Sequence, residues 1–268
     1  MAPTDEPPLD VDAYLRRTGA PRPLTPSAEA LAALHRAHVG AVPFENLDIL
    51  LGRPIRLDFD SLQAKLVAGR RGGYCFEQNT LFRAALESFG FTVTSLAARV
   101  RAGATGIRPR THMLLEVELP EGPYLADVGF GGDGLLLPLP LEAGQELWLG
   151  GTGHRLRREA DLWVLEGDLG TGWQDLYSFT LEPQYPVDFE VANHFTSTWP
   201  DSHFRSTLTA QRSFPERRLI LRNRDLVTRE GREVTRETIL DPEHLLEVLD
   251  ERFSLSFPKA TRFAKPDF

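Results

Sequence analysis

The chain contains one cysteine in 268 residues, Cys75, separated by a single tyrosine from a Gly-Gly pair in "RRGGYCFEQN" (70–79). A thiol reacts as its thiolate. That form is favoured at a helix N-terminus, where unpaired N–H groups and partial positive charge collect, and beside a protonated histidine. Phe76, Leu81, Phe82, Ala84, Ala85, Leu86 and Phe89 follow the cysteine and spread round the circumference of a helix running from about Cys75 to Gly90. A helix apolar all round is buried, and would hold the sulfur rigidly. Gly72 and Gly73 are expected to let the backbone turn sharply and to leave space for a substrate to approach. A lone cysteine can also be no more than a small apolar side chain, so a partner base has to decide.

Seven histidines compete for that part. His35 and His38 share one face of a helical segment, but no carboxylate there completes a metal site, and they read as packing or surface groups. His154 follows a turn-like "GTG" and His244 falls in the first turn of a helix; both read as structural or solvated. His194 and His203 flank the loop-like "FTSTWPDS" and could stand behind a site. His112 opens the strand pattern "HMLLEVEL", in which Met113, Leu115, Val117 and Leu119 form one apolar face, so His112 points to the other. The turn residues "PEGP" send the next strand, "YLADVGF", back beside it. Asp127 stands 15 positions after His112; across a hairpin with an even loop, that odd separation places both on one face within a pair or two of the same level. A histidine beside a carboxylate is the orienting half of a triad.

The elements that must position these groups fall into three zones: helical over 1–90, strands and turns over 91–190, and mixed over 191–268. Asp10 and Gly19 bracket a short helix. Thr25 followed by Pro26 opens a segment ending near Gly40, Asp60 caps a helix over 61–69, and Asp241-Pro242 caps the last one. With 41% hydrophobic and 25% charged residues the chain can bury a large core. One cysteine excludes an internal disulfide and every multi-cysteine metal site. No apolar run is long enough to span a bilayer, and "MAPTDEPPLD" has no basic start or apolar core of a leader, so the sequence reads as cytoplasmic. A net charge of −8 argues against nonspecific nucleic-acid binding. Arg99, Arg101, Arg108 and Arg110 have no acid among them and could meet an anionic ligand. Gly129, Gly131 and Gly134 spell GxGxxG after a strand, but "LLLPLPL" follows, where no helix can begin to hold a pyrophosphate; the match is accidental.

Taken together and in order, "VPFENLDI" (42–49), "RRGGYCFEQN", "THM" (111–113), "ADVGFGG" (126–132) and "NHFTSTWPDSHF" (193–204) resemble the arylamine N-acetyltransferase family over most of the chain. The resemblance implies an α+β fold: a helical N-terminal domain, a β-barrel-like middle domain and an α/β C-terminal lid, around a papain/transglutaminase-like core. It implies a catalytic triad of Cys75, His112 and Asp127, with Phe130 and Phe204 lining the acceptor pocket and Thr111 and Gly131 where backbone approaches CoA or substrate. Arg71 and Glu45 would pair in a structural role. The activity implied, one of xenobiotic metabolism, moves an acetyl group from acetyl-CoA, a co-substrate, to an arylamine, arylhydrazine or N-hydroxyarylamine through an acetyl-cysteine, with no metal, nucleic acid or membrane. An amide synthase of the same superfamily and a cysteine hydrolase or transglutaminase-like enzyme are the alternatives.

Overall fold

The structure, a computed structural model, describes residues 9–231 and 233–268; the first eight residues of the helical zone and Arg232 lie outside these. Helices α1 (Val11–Thr18) and α2 (Ala28–Ala41) lead to a two-residue strand β1 (Phe44–Glu45) and the one-turn α3 (Leu47–Leu50). Next, α4 (Phe59–Leu62) runs into a π-helical stretch (Gln63–Ala68), and α5 (Cys75–Ser88) closes the helical part. Strands β2 (Thr92–Val100), β3 (His112–Leu119), β4 (Gly122–Ala126) and β5 (Leu139–Pro140) follow, then β6 (Glu146–Leu149), β7 (Thr152–Glu159), β8 (Leu162–Asp168) and β9 (Gln174–Phe179). The remainder comprises α6 (Pro186–Thr198), α7 (His203–Ser206), β10 (Thr209–Ser213), β11 (Arg217–Arg222), β12 (Asp225–Glu230), β13 (Glu233–Thr238) and α8 (Pro242–Phe253).

Caps explain most of the helix ends. Asp10 accepts the Ala13 N–H at 2.8 Å, and Gly19 at φ 72 ends α1. Asp241 accepts the His244 N–H at 2.8 Å to open α8. Two expected caps are displaced. Ser27, not Thr25, caps α2, taking the Ala30 N–H at 3.2 Å. Asp58, not Asp60, caps α4, taking the Ser61 N–H at 2.9 Å. In each case the residue two positions nearer or farther reaches a free N–H of the first turn.

Strands β2–β9 form an eight-stranded antiparallel sheet in the order β5-β4-β3-β2-β9-β8-β7-β6. It curls towards a barrel, with Gly144 after β5 donating to Leu156 O on β7 at 2.9 Å. Its inner face packs Leu96, Leu114, Leu125, Leu165, Tyr177 and Phe179 together. Its outer face presents Met113, Leu115 and Val117 to α5, whose Phe76, Phe82 and Leu86 complete a second core. Helix α5 is thus apolar round most of its girth because it is enclosed, as its composition implied. The second sheet, β1-β10-β11-β12-β13, binds the short β1 of the helical part to strands more than 160 residues later, Phe44 opposite Gln211. Helix α8 covers it with Leu245, Val248, Leu249 and Phe253.

Beneath the Gly-Gly turn lies an ion network. Arg71 reaches Glu45 Oε1 with Nη2 at 2.6 Å and Nε at 3.0 Å, as the sequence resemblance implied. Lys65 joins Asp48 and Glu77, each at 2.7 Å. Glu45 is wholly enclosed and also caps Leu47 N at 2.7 Å. Removing one partner of a buried pair leaves the other charge uncompensated, which costs about 3–5 kcal/mol. Glu45→Ala is therefore expected to lower unfolding free energy in urea by about that amount, and Glu45→Gln, which keeps an acceptor for Leu47 N, by less. An unchanged denaturation midpoint for Glu45→Ala would show that the network contributes nothing to the fold.

Candidate active site

Cys75 is a buried free thiol at the first position of α5, where its N–H lies outside the helical hydrogen-bond ladder. Its sulfur points at the Thr111 carbonyl oxygen, 3.7 Å away, in the residue before β3. Glu77 folds back to accept the Tyr74 N–H at 3.1 Å and so fixes the turn before the sulfur. The glycines upstream serve a different need from the one expected. Neither adopts the left-handed region. A Cβ on Gly72 would collide with Pro43 O, and one on Gly73 would lie 2.7 Å from a Glu77 carboxylate oxygen. They make room for the protein's own chain rather than for a substrate.

Strands β3 and β4 pair through a two-residue turn, Leu119 opposite Gly122, and the ladder ends at Leu115 opposite Ala126. Asp127 is the next residue. His112, the first residue of β3, donates from Nε2 to Asp127 Oδ2 at 2.7 Å, so the two meet on one face as the parity of the hairpin required. Oδ1 accepts from Asn79 Nδ2 at 3.0 Å and from the Gly129 N–H at 2.9 Å. Asn79 also ties down the strands on either side, donating to Met113 O at 2.8 Å and accepting from the Val128 N–H at 3.1 Å. A Cβ on Gly129 would lie 2.7 Å from Cys75 Cα, so only glycine lets the end of β4 pass this close to α5.

The imidazole of His112 stands edge-on to Phe130, with ring centroids 5.2 Å apart, and against Tyr177 at 4.9 Å. Phe204, on α7, packs on Tyr74 at 5.6 Å and Phe44 at 6.2 Å. Gly131, at φ 94, lies against the Gln211 side chain. Thr111 and Phe130 thus touch Cys75 and His112 respectively, Phe204 packs on the residue before Cys75, and Gly131 follows Phe130 in the chain.

Other expectations need correction. Of the two readings left open for His35 and His38, packing or surface, the structure bears out packing: both are fully enclosed between α2 and α5. His154 is a buried strand residue whose Nε2 donates to Asp133 O, 2.9 Å away, rather than part of a turn. "FTSTWPDS" is not loop: its first half completes α6, leaving His194 exposed, while exposed His203 stacks on Phe204 at 4.0 Å. Arg101 is held by Glu159 and Asp175 and Arg110 by Glu182, acids distant in sequence. The 129–134 glycines lead into loop and the short β5, with no helix, as expected. Asn79 and Tyr177 are absent from the sequence-predicted residues, and the sequence reads His35 only as a packing or surface group. Asn79 had a signal, since it lies four residues after Cys75 and so on its face of the helix.

A model of the N-acetyltransferase family matches residues 27–262. The arylamine N-acetyltransferase / N-hydroxyarylamine O-acetyltransferase of Salmonella typhimurium is 40% identical over 86% of this chain and 83% of its own length. The chain belongs to the arylamine N-acetyltransferase family. The Nocardia farcinica arylamine N-acetyltransferase superposes with a TM-score of 0.88 at 44% identity, covering 93% of this chain and 90% of that one. The Mycobacterium marinum enzyme, solved in complex with CoA, gives 0.87 at 36%, covering 92% and 93%.

Burial on its own would depress the His112 pKa. The charge and hydrogen bond of Asp127, with a smaller contribution from Cys75, outweigh it and raise the group to about 10. Burial likewise opposes ionisation of Asp127, but His112, Asn79 and the Gly129 N–H hold its carboxyl below the usual range. Burial pushes His35, His38 and His154 down to about 4, 3 and 4.

These shifts set a pH dependence. The three depressed histidines take up protons in the unfolded chain from about pH 6.5 downward, before the folded chain does, so stability falls on acidification through the window from 6.5 to about 3. His112 keeps its proton in the fold up to about 10, so its contribution is complete below pH 6.5 and is lost as pH rises towards 10. Each proton changes the slope by at most about 1.4 kcal/mol per pH unit. Urea unfolding is expected to show greatest stability near neutral pH. Asp127→Asn should flatten the alkaline limb; an unchanged alkaline slope in that variant would refute the assignment.

Proposed function

We propose that this chain transfers the acetyl group of acetyl-CoA to arylamines, arylhydrazines or N-hydroxyarylamines by a ping-pong reaction through an acetyl-Cys75 intermediate, with Cys75, His112 and Asp127 as the catalytic residues. One observation carries the reading. The single thiol lies at a helix N-terminus and points at the residue preceding a buried imidazole that is held by a carboxylate. The relatives supply the chemistry of donor and acceptor: one is named for both arylamine N- and N-hydroxyarylamine O-acetylation, and one holds CoA.

In the first half-reaction the Cys75 thiolate attacks the thioester carbonyl. A new carbon–sulfur bond forms, the bond to CoA breaks, and the departing thiolate takes the proton from His112. In the second, the amine attacks the acetyl-cysteine, His112 accepts the amine proton, and Cys75 leaves as thiolate. The Cys75 N–H is a donor for the oxyanion of each tetrahedral intermediate. Asp127 keeps the imidazole oriented and stabilises its charged form. We assign Phe130 and Phe204 to the acceptor pocket, and Thr111 and Gly131 to the backbone approached by CoA or acceptor. The inferred division of labour is that residues 1–90 present the nucleophile, 91–190 the histidine and aspartate, and 191–268 a lid. A cytoplasmic setting suits a free, reactive thiol, and the reaction calls for no metal, membrane or nucleic-acid partner. No helix of the described residues is long and apolar enough to cross a membrane.

Incubation with acetyl-CoA is expected to add one acetyl group, located at Cys75 by peptide mass, and Cys75→Ala is expected to abolish both that adduct and arylamine acetylation. A Cys75→Ala enzyme that still transferred acetyl groups would sink the mechanism. Asp127→Asn should lower kcat by about 10⁴, the loss seen when a serine triad loses its carboxylate. With Arg101 and Arg110 already paired, Arg108 and Arg99 are the cations of this segment left to meet CoA phosphates. Arg108→Glu should raise the KM for acetyl-CoA with kcat little changed, and an unchanged KM would discard this contact.

A further inference from the structure

Because the β3–β4 ladder stops at Ala126, the N–H of Asp127 has no strand carbonyl to meet. It donates instead to Nε2 of His35 on α2, at 3.2 Å. Since Nε2 accepts there, the ring is neutral and its proton is on Nδ1, which donates to Leu136 O, also at 3.2 Å. One imidazole thus closes both ends of the segment 127–136, which contains Asp127, Phe130 and Gly131. The ring is fully buried and edge-on to Phe82 of α5, with centroids 5.7 Å apart, so it has no freedom to swing away.

We propose that His35 is a positioning residue of the reaction: by clasping Asp127 N and Leu136 O it sets the height of the Asp127 carboxylate beneath His112 and the place of the Phe130 ring beside it. This rests on the triad reading given above. Protonation would turn Nε2 into a donor facing another N–H, and burial, acting against the charge of Asp127, holds the group at about 4, so the clasp is intact at neutral pH. His38, one turn further along α2, supplies a built-in comparison. It is equally buried and bonds Tyr14 Oη at 2.9 Å, but no hydrogen bond among the described residues ties it to segment 127–136.

The test uses the full chain with His35→Leu, His35→Gln, His35→Asn, His38→Leu and Asp127→Asn, all assayed well below their Tm. Two quantities are read: the single-turnover rate of Cys75 acetylation by acetyl-CoA, followed by mass, and the steady-state kcat and KM for an arylamine. Loss of an outer orienting partner commonly costs about 10–100-fold, so His35→Leu should slow acetylation by that factor and raise the arylamine KM. Glutamine has an acceptor and a donor on a side chain long enough to span the site, and should restore most of the rate; asparagine is too short and should not. His38→Leu should lower Tm while leaving the acetylation rate within about twofold, the behaviour of a packing residue. Should His35→Leu fail to fold, the contrast between glutamine and asparagine decides. Wild-type acetylation by a folded His35→Leu, or equal rates for His35→Gln and His35→Asn, overturns the clasp. If that happens while Asp127→Asn is slow, the triad reading stands; if Asp127→Asn is itself fast, the triad reading fails and the clasp has nothing to position.

Discussion

A carboxylate with no exposed surface, Asp127, is the constraint around which this molecule is arranged. An unpaired buried carboxylate is too costly for a folded protein to keep ionised, and it persists only where a counter-charge and donors surround it. Here the donors come from three directions: His112 from β3, Asn79 from α5 and Gly129 from the loop beyond β4. Meeting all three at hydrogen-bond length requires α5 to lie against the end of the β3–β4 hairpin. That approach is so close that position 129 cannot carry a side chain. Satisfying the carboxylate therefore brings Cys75, four residues before Asn79 on the same helix, to the residue next to His112. The sulfur is delivered to the imidazole by the solvation of the acid.

Two imidazoles flank the same aspartate and are driven in opposite directions. His112 donates to the carboxylate and lies beside its charge, and these prevail over burial. His35 meets only the backbone N–H of that residue, so burial prevails and the ring stays neutral. The difference is geometric. A histidine facing a carboxylate is held as a cation, whereas one whose nitrogens meet only a backbone N–H and a backbone carbonyl stays neutral. Tyr177 completes the enclosure: its hydroxyl is buried with no hydrogen-bond partner among the described residues, and burial together with the nearby Asp127 charge pushes the phenol far up, so it adds no ionisable group at neutral pH.

What could be read from the sequence was whatever depends on neighbours along the chain. Strand β3 has the extent its pattern gives, though its first four residues are buried on both faces, and hairpin parity places Asp127 on the His112 side. Caps at Asp10 and Asp241 and the stop at Gly19 follow from local chemistry. The errors come where two residues compete for one task or where tertiary packing overrides propensity. Thr25 and Ser27 can each cap a helix, and which one reaches a free N–H depends on where α2 is seated. The Ser/Thr-rich stretch after Asn193 favours loop, but Phe189, Asn193 and Thr196 are buried, and Asn193 binds Tyr74 Oη and Ile55 O, so packing makes it helix. The π-helical stretch Gln63–Ala68 had no sequence signal; it is met by Arg17, whose Nε donates to Leu66 O at 3.0 Å across 49 residues. His35 belongs to the same class, since its partners lie 92 and 101 residues away.

The second sheet explains why the chain continues so far past the residues that face the sulfur. Its edge strand β1 holds the turn before Cys75: Glu45 N donates to Gly73 O at 3.0 Å, and Gly73 N to Pro43 O at 3.2 Å. Its inner strands hold the loop after Asp127. Gln211 on β10 accepts the Gly132 N–H, and buried Arg218 on β11 donates to the carbonyls of Gly132 and Gly134. Because β1 and β10 are paired residue to residue, the turn in front of the sulfur and the loop beyond the acid are registered on one hydrogen-bonded frame. Position along a paired strand is fixed to a fraction of an ångström, whereas two loops tethered separately would drift. The C-terminal sheet therefore does at long range what Asn79 does at short range, and a relative lacking it would have to lock these two loops by other means.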